Sequence, residues 1–456
     1  MGHAVNTDRR YQLLQQRLDR QLTGAPDSPT FRKVLALLFS PDDAELAAEI
    51  PSTPTPLAAI SRRLGIGADE LGDRLDAMAR RGLLFDLELN GTRYFALPPV
   101  VIGFFEFTFM RARDDVPMAE VARLFDQYMH ENDRFARSVF AGTTQLGRAL
   151  AREEALPPDD HTEVLDWERA SRIVRSAPTV GVSLCVCRHA KSHLGEACDR
   201  PQRCCLSLGF AADSMIRLGN AERVNSDEAI RILQEAKDAG LMQTGDNVRR
   251  KPSFICNCCG CCCGMIDAIK TFDLRGAIVT SNWIMDVDRT RCKGCGKCAE
   301  ACPVGAIRVV ALEGQEKPEE ESEGDSPVFA SRKPGQSPAK RLAVVDEALC
   351  LGCGVCHGAC KTGGVTMKPR PQRVLTPESV FDRMALMAVE RGKLAETIFD
   401  DPQRLSHRAL GRLVGLLERS PVFKRAMAIR PVRSAFLRGI VAGAKRSTGE
   451  LGEMFL

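Results

Sequence analysis

Nineteen cysteines stand among 456 residues, all between Cys185 and Cys360, and they fall in four bunches. No other feature constrains the fold so strongly. Buried cysteines used as small hydrophobes are scattered, and disulfide frameworks belong to short secreted chains with dispersed cysteines. Thiols gathered this densely are expected to be metal ligands in a reducing cytoplasm. The first twenty residues are polar, and no apolar stretch follows the pair Arg9-Arg10, so neither a secretory nor a twin-arginine signal is expected. The longest apolar run, Val100 to Met110, contains Glu106 and is too short to span a bilayer.

The two downstream bunches repeat one spacing. Cys292, Cys295, Cys298 and Cys302 read C-x2-C-x2-C-x3-C followed by Pro303, and Cys350, Cys353, Cys356 and Cys360 read the same. Two residues between thiolates let a tight loop wrap a cubane corner by corner. Glycines at 294, 296, 352 and 354 permit the positive-φ turns that aim backbone N–H groups at sulfur. The fourth cysteine of such a run reaches across to the other cluster. Cys292, Cys295, Cys298 and Cys360 are therefore expected to hold one 4Fe–4S cluster, and Cys302, Cys350, Cys353 and Cys356 the other. Zinc would favour paired C-x2-C knuckles instead.

This stretch resembles the two-cluster bacterial ferredoxin domain, and Val304-Gly305-Ala306-Ile307 after Pro303 fits that family's first half. Two departures stand out: Lys361-Thr362 where a second proline is usual, and a long insertion between the halves. Neither removes a ligand.

The upstream bunches are less explicit. Cys185-Val186-Cys187-Arg188-His189 is followed by Cys198, Pro201, Cys204 and Cys205. Cys185, Cys187, Cys198 and Cys205 are expected to close a further iron–sulfur cluster, with Cys204 spare and with Arg188, His189, Lys191 and His193 offsetting its charge. Zinc held by mixed Cys and His is the alternative. The run Cys256-Asn257-Cys258-Cys259-Gly260-Cys261-Cys262-Cys263 offers overlapping C-x2-C pairs, so spacing does not choose among its thiols. It reads as another cluster, as a site shared with the first bunch, or as reactive thiols without metal. In total, two ferredoxin-type clusters and one or two more are expected. The arrangement is similar to long, cluster-rich 4Fe–4S ferredoxin-type proteins of anaerobic bacteria, which share the C-x-C-R stretch, the CNCC-x-CCC stretch and the double ferredoxin motif.

The expected fold class is α+β and multidomain. Residues 1–97 read as a winged-helix-like module, with helices ending at Ser40-Pro41, Gly65 and Gly82 and a hairpin turning at Asn90-Gly91. Residues 98–178 read as a helical linker with helices over 118–130, 132–154 and 166–177. A cysteine-rich cluster-binding domain follows at 179–285, with helices expected over 206–218 and 226–239. The ferredoxin domain occupies 286–369 and carries a mobile insertion at 313–340, rich in Glu, Pro, Ser and Gly. A helical basic tail fills 370–456.

These features point to an electron carrier or oxidoreductase subunit passing electrons between a cytoplasmic donor and a partner oxidoreductase. A redox-sensing regulator using the winged helix is the alternative, and an oxidoreductase with a substrate site at the upstream cysteines is another. Residues 31–97 hold ten acids and eight bases, so DNA is a poor partner. The segment 419–446 carries eight Arg or Lys and no acid among apolar residues, which suits peripheral contact with the inner membrane face. No P-loop, dinucleotide fingerprint or nucleophile elbow is present.

Overall fold

The structure is a computed structural model, and the residues it describes are 2–156, 169–311, 341–400, 405–428, 435–436 and 439–440. The helices Pro29–Leu38 and Pro41–Glu49 each begin at a serine whose hydroxyl accepts backbone N–H groups, with proline in the first helical position. The helices Leu57–Leu64 and Ala68–Arg80 follow, the first ended by Gly65 in the left-handed region. Strands β1 (Thr55–Pro56), β2 (Phe85–Leu89) and β3 (Thr92–Ala96) form an antiparallel sheet in the order β1-β3-β2. Phe31 is fully buried there and stacks on Tyr128 of the helix Met118–His130, with ring centroids 4.7 Å apart.

A six-stranded sheet fills the middle of the chain. It comprises β4 (Gly147–Ala149), β5 (Val180–Leu184), β6 (Arg203–Leu208), β7 (Glu222–Val224), β8 (Met242–Asp246) and β9 (Phe254–Cys258). Its order is β4-β8-β9-β6-β5-β7, and every pairing is antiparallel. The helices Ala170–Ser176 and Ser226–Asp238 cover one face, where Ile173, Ile232 and Leu233 meet Val182, Leu206, Leu208 and Ile255. The β5–β6 register shifts between Ser183 and Leu184, which leaves Cys204 out of the ladder and its thiol beside those of Cys205 and Cys185.

Two sequence expectations change here. The helix expected over 132–154 is only Arg134–Phe140, because β4 takes the chain into the sheet. The helix expected over 206–218 is Phe210–Arg217, because β6 claims Arg203 to Leu208. The expected helix over 166–177 is described as Ala170–Ser176.

The last strands form two separate pairs. β10 (Trp283–Val287) pairs with β13 (Val365–Pro369), and β11 (Ile307–Ala311) with β12 (Arg341–Val345). The insertion at 313–340 lies outside the described residues. Beyond it, the helices Val380–Arg391, Leu394–Ile398, Leu405–Arg419 and Pro421–Ala428 follow. The Glu418 carboxylate, buried, accepts the N–H groups of Leu394 and Ala395 and so caps the second of these. Much of the basic segment 419–446 lies outside the described residues. The whole is a mixed, mainly antiparallel α+β structure, and no described helix is long and apolar enough to cross a membrane.

Phe31 is the natural probe of the N-terminal packing. Phe31→Ala is expected to cost about 3–5 kcal/mol, because the cavity left between Tyr128 and Phe104 cannot close fully. Denaturant unfolding measures this, and a loss below about 1 kcal/mol would contradict the packing described.

Candidate iron–sulfur and metal centres

Strand pairing decides which downstream thiols meet. Val287, just before Cys292, faces Val365, just after Cys360. Ile307, just after Cys302, faces Val345, just before Cys350. Each pair therefore carries the last cysteine of one run to the first three of the other. Electrostatic proximity follows: Cys298 feels Cys292 and Cys360, while Cys353 feels Cys302 and Cys350. Glycines make room for the loops. A Cβ on Gly352 would overlap the Trp283 carbonyl oxygen, and one on Gly294 would lie 2.5 Å from the Arg341 carbonyl oxygen, both at positive φ.

The two quartets differ in setting. Burial raises the thiols of Cys302 and Cys356 and takes Cys353 up to about 12. The Ala306 N–H donates to Cys302 Sγ at 3.2 Å, and Arg370 donates to the Cys350 carbonyl. Cys295, in the other quartet, is exposed. Burial opposes ionisation of Cys360, yet Thr362 and the N–H groups of Gly364 and Val365 hold it below the usual thiol value. Lys361-Thr362 stands where a proline is usual, and Thr362 there supplies a hydroxyl 3.5 Å from Cys360 Sγ. These donors and spacings fit thiolate-bound 4Fe–4S groups, which need hydrogen bonds to sulfur and a shell shielded from water.

The upstream thiols divide differently from the sequence expectation. Cys185 follows β5 at the N-cap of the helix Val186–Ser192, Cys205 lies on β6, and Cys256 and Cys258 lie on β9. Cys263 stands at the N-cap of the helix Gly264–Phe272. Together with Cys187 and Cys259 they line one cavity of about 450 Å³. Thiol contacts join Cys185, Cys204 and Cys205 and run on to Cys256, and others run from Cys187 to Cys263 and on to Cys258. Cys198 is elsewhere: its sulfur groups with those of Cys259, Cys261 and Cys262, all within 4.8 Å of one another.

Arg188 sits between the two groups and is fully buried. Its guanidinium donates to Cys204 Sγ at 2.7 Å, to the Pro201 carbonyl and to the Asn257 carbonyl, both at 3.1 Å. Burial alone would lower its pKa, but Cys185, Cys204 and Cys259 override this and hold the cation above its ordinary value. Burial would also raise Cys259, yet the Cys262 N–H and Arg188 bring it down to about 7. The neighbouring bases do other work. His189 Nδ1 lies 2.8 Å from the Phe109 carbonyl, its Nε2 lies 3.3 Å from that of His193, and Lys191 pairs with Asp126 and Glu196.

One site residue escaped the sequence reading. Glu106 lines the cavity and accepts the Gly103 N–H at 2.7 Å. Burial, against that hydrogen bond, raises its pKa to about 8. The signal was a lone acid inside the longest apolar run.

Residues 291–365 match the family model described as a 4Fe–4S dicluster domain. No curated protein and no solved structure matches the chain.

Two outcomes test this geometry. Cys302→Ala is expected to degrade the cluster held with Cys350, Cys353 and Cys356, read by electron paramagnetic resonance of the reduced protein. Loss of only the Cys292 cluster would refute the crossing. For Glu106, the native state keeps the acid protonated up to about 8, whereas the unfolded chain releases it near 4.5. Stability should therefore fall between those pH values, and Glu106→Gln should flatten that fall. An identical pH profile in both proteins would contradict the raised pKa of Glu106.

Proposed function

We propose that this chain is an iron–sulfur electron-transfer protein in which the dicluster region exchanges electrons with a further cluster held by the cavity thiols. The observation that carries the reading is a backbone contact. A Cβ built on Gly260 would lie 2.6 Å from the Pro303 carbonyl oxygen, so only glycine lets the two backbones touch. Pro303 follows Cys302 directly, and Gly260 lies between Cys259 and Cys261, close to Cys258 and Cys263.

A bound 4Fe–4S group supplies reversible one-electron storage. The chain's own residues set the route. Exposed Cys295 puts its quartet on the partner-facing side, and buried Cys350 and Cys356 put theirs inward. The Pro303–Gly260 contact sets the dicluster region against the turn after β9, and Cys258 and Cys263 pack in one core with Cys298, Cys350 and Cys356. Arg188 supplies positive charge where the buried thiolates need it.

The cavity favours a second reading, an oxidoreductase acting on a small apolar molecule. It extends past the thiols between Phe105, Met129, Met215 and Met384, and Glu106 faces it as a group that can hold or release a proton. Residues 1–97 are read as a winged-helix-like docking module, supported by β1 lying on β3 beside the hairpin. Nothing favours DNA there: Asp69, Glu70 and Asp73 are exposed on the helix Ala68–Arg80, while Arg81 and Arg93 pair with Asp43 and Asp76. Exposed Leu410, Leu413, Leu416 and Val422 beside basic residues support peripheral contact of the tail with a membrane or a redox partner on the cytoplasmic side.

Anaerobically purified protein is expected to hold more than about eight irons per chain, the content of two cubanes. In stopped-flow reduction by a protein-sized donor, the upstream signal should follow the dicluster signal, and Cys353→Ser should remove its fast phase. An iron content of about eight, or an upstream rate indifferent to Cys353→Ser, would overturn the relay.

A further inference from the structure

Cys198, Cys259, Cys261 and Cys262 form a site of a different kind from the other thiols. Cys198 Sγ lies 3.8 Å from Cys259 Sγ and 3.9 Å from Cys262 Sγ, and Cys262 Sγ lies 3.7 Å from Cys261 Sγ. Four sulfurs bound tetrahedrally at about 2.3 Å from one zinc ion stand about 3.8 Å apart along each edge. A cubane spreads its thiolates wider, since an iron–iron edge adds to the iron–sulfur bonds at both ends. The chain contains its own control. Among the described residues, neither dicluster quartet draws its sulfurs within the 4.8 Å that encloses this group.

We propose that these four thiolates bind a single zinc ion, and that the upstream cysteines therefore hold one mononuclear site beside the cavity thiols. The surroundings suit a closed structural site. Cys198 lies in the stretch between the helix Val186–Ser192 and β6, which has no helix or strand of its own. The ion would tie that stretch to the turn 259–262, where Leu241 and Ala236 pack on Cys259 and Cys262. Arg188 offsets part of the negative charge that four thiolates leave on a divalent ion. No histidine is needed, because all four positions of the tetrahedron are sulfur.

Metal analysis of the anaerobically purified full-length protein is expected to give one zinc per chain in addition to its iron. Zinc-edge X-ray absorption should show four sulfurs at about 2.3 Å and no neighbouring metal. Cys198→Ser and Cys262→Ser should each lower the zinc content several-fold while iron stays constant. Zinc below a tenth per chain in the unaltered protein, zinc with nitrogen or oxygen neighbours, or mononuclear iron at this site would overturn the proposal. So would loss of cluster iron in either variant with zinc unchanged. The absorption measurement needs no variant, so a misfolded mutant does not decide the question. The proposal is independent of the relay, which fails or stands on the iron count of the same sample.

Discussion

The buried guanidinium of Arg188 is the interaction on which the centre of this molecule depends. Thiolates taken out of water need compensating charge and hydrogen bonds, and a cation taken out of water needs the same in return. Arg188 meets both demands through its fixed fork of donors, reaching Cys204, Pro201 and Asn257 at once. A lysine would present one point charge and leave carbonyls of Pro201 or Asn257 without their donor. Asn257 adds a hydrogen bond from its amide to the Cys204 carbonyl, which locks the strand bearing the cavity thiols to the one bearing Cys204. Charge compensation and sheet register are thus the same set of contacts.

Around that point the antiparallel sheet works as a sorting device. A register shift in the β5–β6 ladder brings Cys204 and Cys205 together beside Cys185, where Arg188 reaches Cys204. Alternation along β9 keeps Cys256 and Cys258 on one side. The turn after β9 then brings Cys259, Cys261 and Cys262 to Cys198, with Cys259 at the edge of the cavity and Cys263 lining it from a helix cap. The downstream region uses strand pairing for the same end, exchanging fourth cysteines between the two runs.

The downstream site was legible in the sequence because its ligands are local: three of each four thiols sit on one loop, and spacing alone describes the loop. The upstream sites were legible only as a concentration of thiols. Their partners are joined by strands, and a one-residue step along a strand moves a side chain to the opposite face. Cys198 was therefore grouped with its sequence neighbours Cys185 and Cys187 rather than with Cys259. The helix expected from Leu206 failed for a related reason, since a short buried strand such as β6 carries no clear period. The N-terminal helices and the Asn90-Gly91 hairpin could be read because proline, glycine and serine mark their ends. Glu106 carried a signal that needed the cavity to give it meaning.

The central claim is the division of the upstream thiols into a wide group and a tight one on either side of Arg188. A crystal structure of the anaerobically purified protein, with anomalous maps collected above and below the iron and zinc edges, tests it most directly. The account predicts a zinc peak enclosed by Cys198, Cys259, Cys261 and Cys262, and iron peaks beside Cys185, Cys187, Cys205, Cys256, Cys258 and Cys263. A single iron cluster bridging Cys198 to Cys185, Cys187 and Cys205 would contradict it.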